Sequence, residues 1–187
     1  MSSGESRDDL ILDHLFTHRL TVPEAVHRLF FPDTHLNAAT KVLNRLRRRG
    51  QVEHFDLYHR RQYWRLTPRV ARARFGDARA GEPLKLQSLV EWFGVLSFCY
   101  LGPELREMIP REQFSKHMAD FDAPGLQRKY FVDDEERLCY IHVDHGARID
   151  YVSRQCLKQI QKRYALPAFR RAMDAGRFVF WIATRHQ

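Results

Sequence analysis

Apolar and polar residues alternate along this chain with two periods, one helical and one of strand type. Leu10, Ile11 and Leu15, with Leu12 and Phe16 beside them, recur at helical spacing over Arg7 to His18. Asp8 and Asp9 near the start suit the positive end of a helix dipole. Thr21-Val22-Pro23-Glu24 has the form of a capping box and opens a second helix through Ala25, Val26, Leu29 and Phe30. Pro32 ends that helix near Phe31, because proline disfavours helical geometry in the residue before it. Asp33 or Thr34 is expected to cap a third helix, which Gly50 closes after Arg49.

The third helix separates its residue types sharply. At about 100° per residue, Leu36, Ala39, Val42, Leu43 and Leu46 share one face, and Asn37, Lys41, Asn44, Arg45 and Arg48 fall on the other. Asparagine can pair two-pronged with adenine and arginine with guanine, while lysine and arginine also contact phosphates. An ordinary solvated face is the competing reading. Gln51 to Leu57 and Gln62 to Leu66 then read as two strands rich in Val, Phe, Tyr and Trp, separated by Tyr58-His59-Arg60-Arg61. Thr67-Pro68 has the form of an N-cap and first helical residue, opening a basic helix through Arg69, Arg72 and Arg74.

Three helices, a hairpin and a fourth helix over about residues 6–75 resemble a winged helix-turn-helix domain. Thr34–Gly50 carries most of the likeness, followed by Val52-Glu53-His54-Phe55 and Tyr63-Trp64-Arg65-Leu66-Thr67. The resemblance implies that the third helix enters the major groove of double-stranded DNA and that the hairpin tip touches the adjacent backbone or minor groove. The implied DNA-binding residues are Thr34, Asn37, Lys41, Asn44, Arg45, Arg48, His59, Arg60 and Arg61.

Residues 71–83 loosen in composition and read as a linker or a frayed helix end. Leu84 to Leu101 is the most apolar stretch. Leu86, Leu89, Val90, Phe93 and Leu96 form a helical stripe that Trp92, Phe98 and Tyr100 widen. So broad a stripe suits burial on two sides, either in a core or at the contact of a homodimer. Short helices are expected over Glu104 to Met108 and Arg111 to Met118, before a turn at Pro124-Gly125.

From Tyr130 the period changes. Tyr130-Phe131-Val132, an acidic turn and Leu138 to Val143 read as a hairpin, Asp150 to Tyr164 as a helix, and Phe178 to Ala183 as an apolar strand. Strand, helical crossover and strand predict a βαβ unit with two parallel strands, the last covered on both faces. A metal-dependent nuclease of the PD-(D/E)XK type would want a carboxylate at Asp133 or Asp134 and a Glu-x-Lys on the next strand. His142 and Asp144 stand where that Glu and Lys would be, so a non-catalytic half is expected. His142, Asp144 and His145 read as a strand-end polar cluster rather than a metal site. His14 and His18, at i and i+4, read as an exposed pair or one near DNA phosphate.

Composition sharpens this picture. Of 187 residues, 31 are Lys or Arg and 23 Asp or Glu, a formal charge of +8. Residues 1–81 hold 15 basic and 9 acidic residues, and residues 82–187 hold 16 and 14. A basic first half joined to a near-neutral second half suggests a polyanion-binding module attached to something else. Three separated cysteines, Cys99, Cys139 and Cys156, argue against a disulfide scaffold and a cysteine-rich zinc module. No secretory leader, membrane span, nucleotide loop or cofactor motif is evident, which predicts a cytoplasmic protein without a cofactor.

The whole is α+β in class: a winged helix-turn-helix domain over 6–80, a helical connector over 81–128 and a small, degenerate nuclease-like α/β domain over 129–187. With Leu66-Thr67-Pro68 and an aspartate-ended strand, it is similar to the bacterial plasmid replication-relaxation family. That resemblance implies a DNA-binding, non-enzymatic role in transcriptional or plasmid and mobile-element control. A metal-dependent nuclease and a winged-helix adaptor for proteins are the alternatives.

Overall fold

The computed structural model describes residues 6–57, 61–123, 126 and 129–184. The fold is mixed α+β, and the chain divides into two compact units, Met1–Leu101 and Gly102–Gln187. The expected connector over 81–128 is therefore not a segment of its own. Among the described residues, no helix is long and apolar enough to cross a membrane.

The first unit runs α1 (Arg7–His18), α2 (Pro23–Phe30), α3 (Asn37–Arg48), β1 (Val52–Asp56), β2 (Gln62–Leu66), α4 (Pro68–Phe75) and α5 (Leu86–Leu96). Ile11, Leu12 and Leu15 of α1, Val26 of α2, and Ala39, Leu43 and Leu46 of α3 share one core with Trp64 and Leu66. α1 starts from a capping box: Ser6 Oγ accepts from the Asp9 amide at 3.2 Å, and the Asp9 carboxylate accepts from the Ser6 amide at 3.2 Å. The box expected at Thr21 does not form. Thr21 is fully buried, its backbone pairs with Trp64 through two 2.8 Å bonds, and its hydroxyl shares a 3.0 Å bond with His14. α2 begins instead from Val22, with Pro23 in its first turn.

α3 begins three residues after Thr34 rather than directly behind it, because Thr34 closes the preceding turn. Its hydroxyl donates to the Phe31 carbonyl at 2.9 Å, and Leu36 occupies the N-cap position without a side-chain cap. Leu36, expected on the apolar face, is 39% exposed there. The other end follows the sequence closely. Gly50 is left-handed at φ +67°, its amide donates to the Arg47 carbonyl, and the Gln51 amide donates to the Leu46 carbonyl. β1 and β2 pair antiparallel from Val52↔Leu66 to Asp56↔Gln62. Thr67 Oγ accepts from the Val70 amide at 3.4 Å to cap α4.

The stretch expected as a linker turns back onto the unit as a short 3-10 helix, Ala78–Gly81, with Ala80 and Gly81 buried. A Cβ at Gly81 would lie 2.6 Å from the backbone of Thr67 and Pro68, so only glycine permits this approach. In α5 the burial is shifted from the expected stripe. Leu86 and Val90 are exposed, whereas Val95, Leu96, Cys99 and Tyr100 are buried. A π-helical turn at Ser97–Leu101 sets this phase and packs against α2.

The second unit contains α6 (Arg111–His117), β3 (Tyr130–Val132), β4 (Leu138–Val143), α7 (Ile149–Tyr164), α8 (Pro167–Asp174) and β5 (Phe178–Ala183). The helix expected over Glu104 to Met108 is absent. Met108 forms an antiparallel bridge with Phe131, and the Ile109 amide donates to the Tyr130 carbonyl at 2.7 Å. The turn expected at Pro124-Gly125 lies outside the described residues. Sheet order is β3-β4-β5, with β3 and β4 antiparallel and β4 and β5 parallel, as the βαβ reading predicts. β5 is not covered on both faces: it is an edge strand with Ile182 45% exposed, and the buried strand is β4. Arg163 of α7 is fully buried, its guanidinium 3.8 Å from the Tyr140 ring centroid and donating to Tyr130 Oη at 3.0 Å.

Candidate nucleic-acid interface

α3 presents its polar residues because its apolar ones are consumed. Ala39, Leu43 and Leu46 are fully buried, which turns Asn37, Lys41 and Arg48 outward and leaves Asn44 half-buried. These four lie at positions i, i+4, i+7 and i+11, a stripe about 60° wide and about 16 Å long. Among the described residues, the side chains of Lys41, Asn44 and Arg48 have no ion pair or hydrogen bond.

Three arginines beside this stripe are held by carboxylates. Arg45 forms an ion pair with Asp8, and Arg49 reaches the other oxygen of the same carboxylate at 3.1 Å. Arg74 of α4 pairs with Asp9 and, at 3.1 Å, with Asp13. Three aspartates on α1 thereby tie down arginines of α3 and α4. The Ser6 hydroxyl and the Arg74 guanidinium hold the Asp9 carboxyl below its ordinary range. Arg45, expected among the DNA-binding residues, is held by Asp8 in this structure. Exposed pairs of this kind are worth about 0–1 kcal/mol each, so they bias the arginines without locking them.

The hairpin contributes less than the sequence suggests. His59 and Arg60 lie outside the described residues. Arg61 is exposed and its carbonyl accepts from the Leu57 amide at 2.8 Å, closing the base of the loop. Arg65 is buried, pairs with Glu53 directly opposite on β1 at 2.8 Å, and lies 4.4 Å from the Phe55 ring centroid. Arg47 Nη1 donates to His54 at 3.0 Å, and His54 in turn stacks on Trp64. Thr34 is exposed, with its hydroxyl spent on the turn.

His14 and His18 are buried, not exposed and not at the α3 surface. Their rings lie 4.6 Å apart, His14 shares a bond with Thr21, and His18 Nε2 shares a 2.8 Å bond with the Tyr100 hydroxyl. Burial lowers the pKa of His14 to about 3 and drives that of His18 well below its ordinary value, with the neighbouring ring adding to the effect. Sequence spacing alone showed the i, i+4 pair. The aromatic partner that encloses it lies far along the chain.

In the second unit the carboxylates considered for metal chemistry already have partners. Asp133 accepts from the Arg137 guanidinium at 2.8 and 2.9 Å and from the amides of Glu135 and Arg137. Asp144 accepts from the Gly146 and Ala147 amides at 3.0 and 3.2 Å, ending β4 in a turn. His142 lies beside the Phe180 ring, and His145 is exposed. Among the described residues, no three His, Cys, Asp or Glu side chains gather as a metal-binding group. No protein-family model, curated protein or solved structure matches this chain.

Proposed function

We propose that the chain is a sequence-reading, double-stranded-DNA-binding protein of winged helix-turn-helix type, with α3 lying in the major groove. One observation carries this reading: Asn37, Lys41 and Arg48, with the half-buried Asn44 between them, form a polar stripe on a helix whose opposite face is fixed in a core. Two amides and two cations on one face are the residue types that read adenine and guanine edges and hold phosphates. The exposed Arg61 at the hairpin base, with His59 and Arg60 beyond it in sequence, adds backbone contacts.

The aspartates of α1 make the surface more selective than its charge suggests. They neutralise arginines that would otherwise bind any polyanion, so base contacts weigh more against phosphate contacts. The engaged states of Asp133 and Asp144 favour a non-catalytic second unit, in keeping with the similarity to replication-relaxation proteins. Transcriptional or plasmid and mobile-element control in the cytoplasm is the matching role.

Duplex binding measured across salt concentrations tests this. Neutralising about four phosphates gives a slope of log affinity against log salt of about −3.6, shallower than the value near −5 that six contacts would give. No affinity for duplex DNA at any salt concentration removes the reading.

A further inference from the structure

The open edge of β5 is the feature of the second unit that its fold leaves unused. The Leu138 amide donates to the Arg177 carbonyl at 3.0 Å, and the Asp144 amide donates to the Ala183 carbonyl at 2.9 Å. In a parallel ladder, alternate residues turn both backbone groups to the same neighbour. The odd-numbered residues of β5 therefore face β4. Phe178, Phe180 and Ile182 turn their N–H and C=O groups the other way, and among the described residues those groups have no partner. Exposed edges are ordinarily guarded by lysine, proline or a bulge. Phe178 to Ala183 contains no charge and no proline, and its register with β4 runs unbroken from Leu138↔Phe178 to Val143↔Ala183.

We infer that β5 pairs antiparallel with β5 of a second copy of this chain, joining two three-stranded sheets into one. The three outward residues are self-complementary about Phe180. A two-fold axis there sets Phe180 of one copy against Phe180 of the other and each Phe178 against the opposing Ile182. About six hydrogen bonds form this way, and every pair is aromatic–aromatic or aromatic–β-branched, the combinations that stabilise cross-strand neighbours. The strand itself carries no charge, so no like charges stand opposite one another along the six paired residues. The assembly also stops at two, because the outer edge of β3 is taken by the Met108↔Phe131 bridge and by the Ile109 amide. The inferred contact lies at β5, apart from the Leu84–Leu101 stretch, for which the sequence left a core and a homodimer contact both open.

Sedimentation equilibrium of the full chain without DNA tests the inference apart from the DNA-binding reading. The wild type sediments at twice its 22.3 kDa chain mass. Ile182→Pro removes an outward N–H that no intramolecular bond uses, and Ile182→Lys adds a guarding charge. Both variants sediment at the single-chain mass with unchanged circular dichroism, and Val132→Lys, at the one exposed position of the otherwise buried β3, retains the double mass. Should Ile182→Pro fail to fold, Ile182→Lys and amide exchange decide: Phe178, Phe180 and Ile182 amides are protected in the wild type and exchange freely in the lysine variant. A wild type of single-chain mass, or a dimer that survives Ile182→Lys, overturns the inference.

Discussion

Acid should destabilise the first unit from about pH 6.5 downward, and the cause is the buried pair His14 and His18. Both rings are neutral in the fold and protonate readily once it opens, where the ordinary pKa is near 6.5. Below that pH the unfolded chain binds more protons than the folded one, so stability falls as pH falls. Each ring contributes about 1.4 kcal/mol per pH unit, or about 2.7 for the two. From pH 6.5 to 4.5 the loss approaches about 5 kcal/mol, as large as the total stability of many domains. The depressed carboxyls Asp9 and Asp133 add their loss only at lower pH, since they begin from the ordinary carboxylate range. Urea unfolding at pH 7.5, 6.5, 5.5 and 4.5 measures the slope. His18→Gln, which keeps a polar partner for Tyr100, should halve it to about 1.4 kcal/mol per unit whatever the substitution itself costs. Stability that stays level from pH 7 to 5, or both rings titrating near 6.5 by NMR, refutes the reasoning.

Three substitutions probe the α3 surface and its support. Asp8→Asn frees Arg45 and Arg49, and each new phosphate contact steepens the salt slope by about 0.9, so the variant's advantage at 50 mM over 200 mM salt grows about 3.5-fold per contact. Fluorescence anisotropy with labelled duplex reads this directly, and an unchanged slope would show that the freed arginines stay off the backbone. Arg48→Ala should weaken a preferred site by about 1–3 kcal/mol and leave random DNA nearly unaffected, measured by competition between the two duplexes. Gly50→Ala forces a side chain into a left-handed position at φ +67° with its Cβ 3.3 Å from Arg69, and should cost about 1 kcal/mol by urea titration.

Much of the fold was legible because its signals are local. Leucine spacing gave α1 to the residue and the body of α3, though not its start, while Gly50 marked the end of α3 and Thr67-Pro68 the start of α4. The failures share the opposite property. Thr21 looked like a cap until its burial and its pairing with Trp64 were known. His14 and His18 looked solvent-facing because Tyr100, which closes over them, lies 82 positions from His18. Arg45 looked free because its aspartate stands 37 positions away on another helix. β5 misled in a different way. An unbroken apolar run reads as a strand covered on both sides, and an uncharged sheet edge gives the same sequence.

Selection of bound duplexes from a random pool tests most directly whether the polar stripe of α3 reads base identity. Wild-type protein is predicted to enrich a defined motif. The triple variant Asn37→Ala, Asn44→Ala, Arg48→Ala should enrich none, while keeping weaker binding that falls with salt. A wild type that enriches no motif, or a triple variant that recovers the same one, would contradict the account.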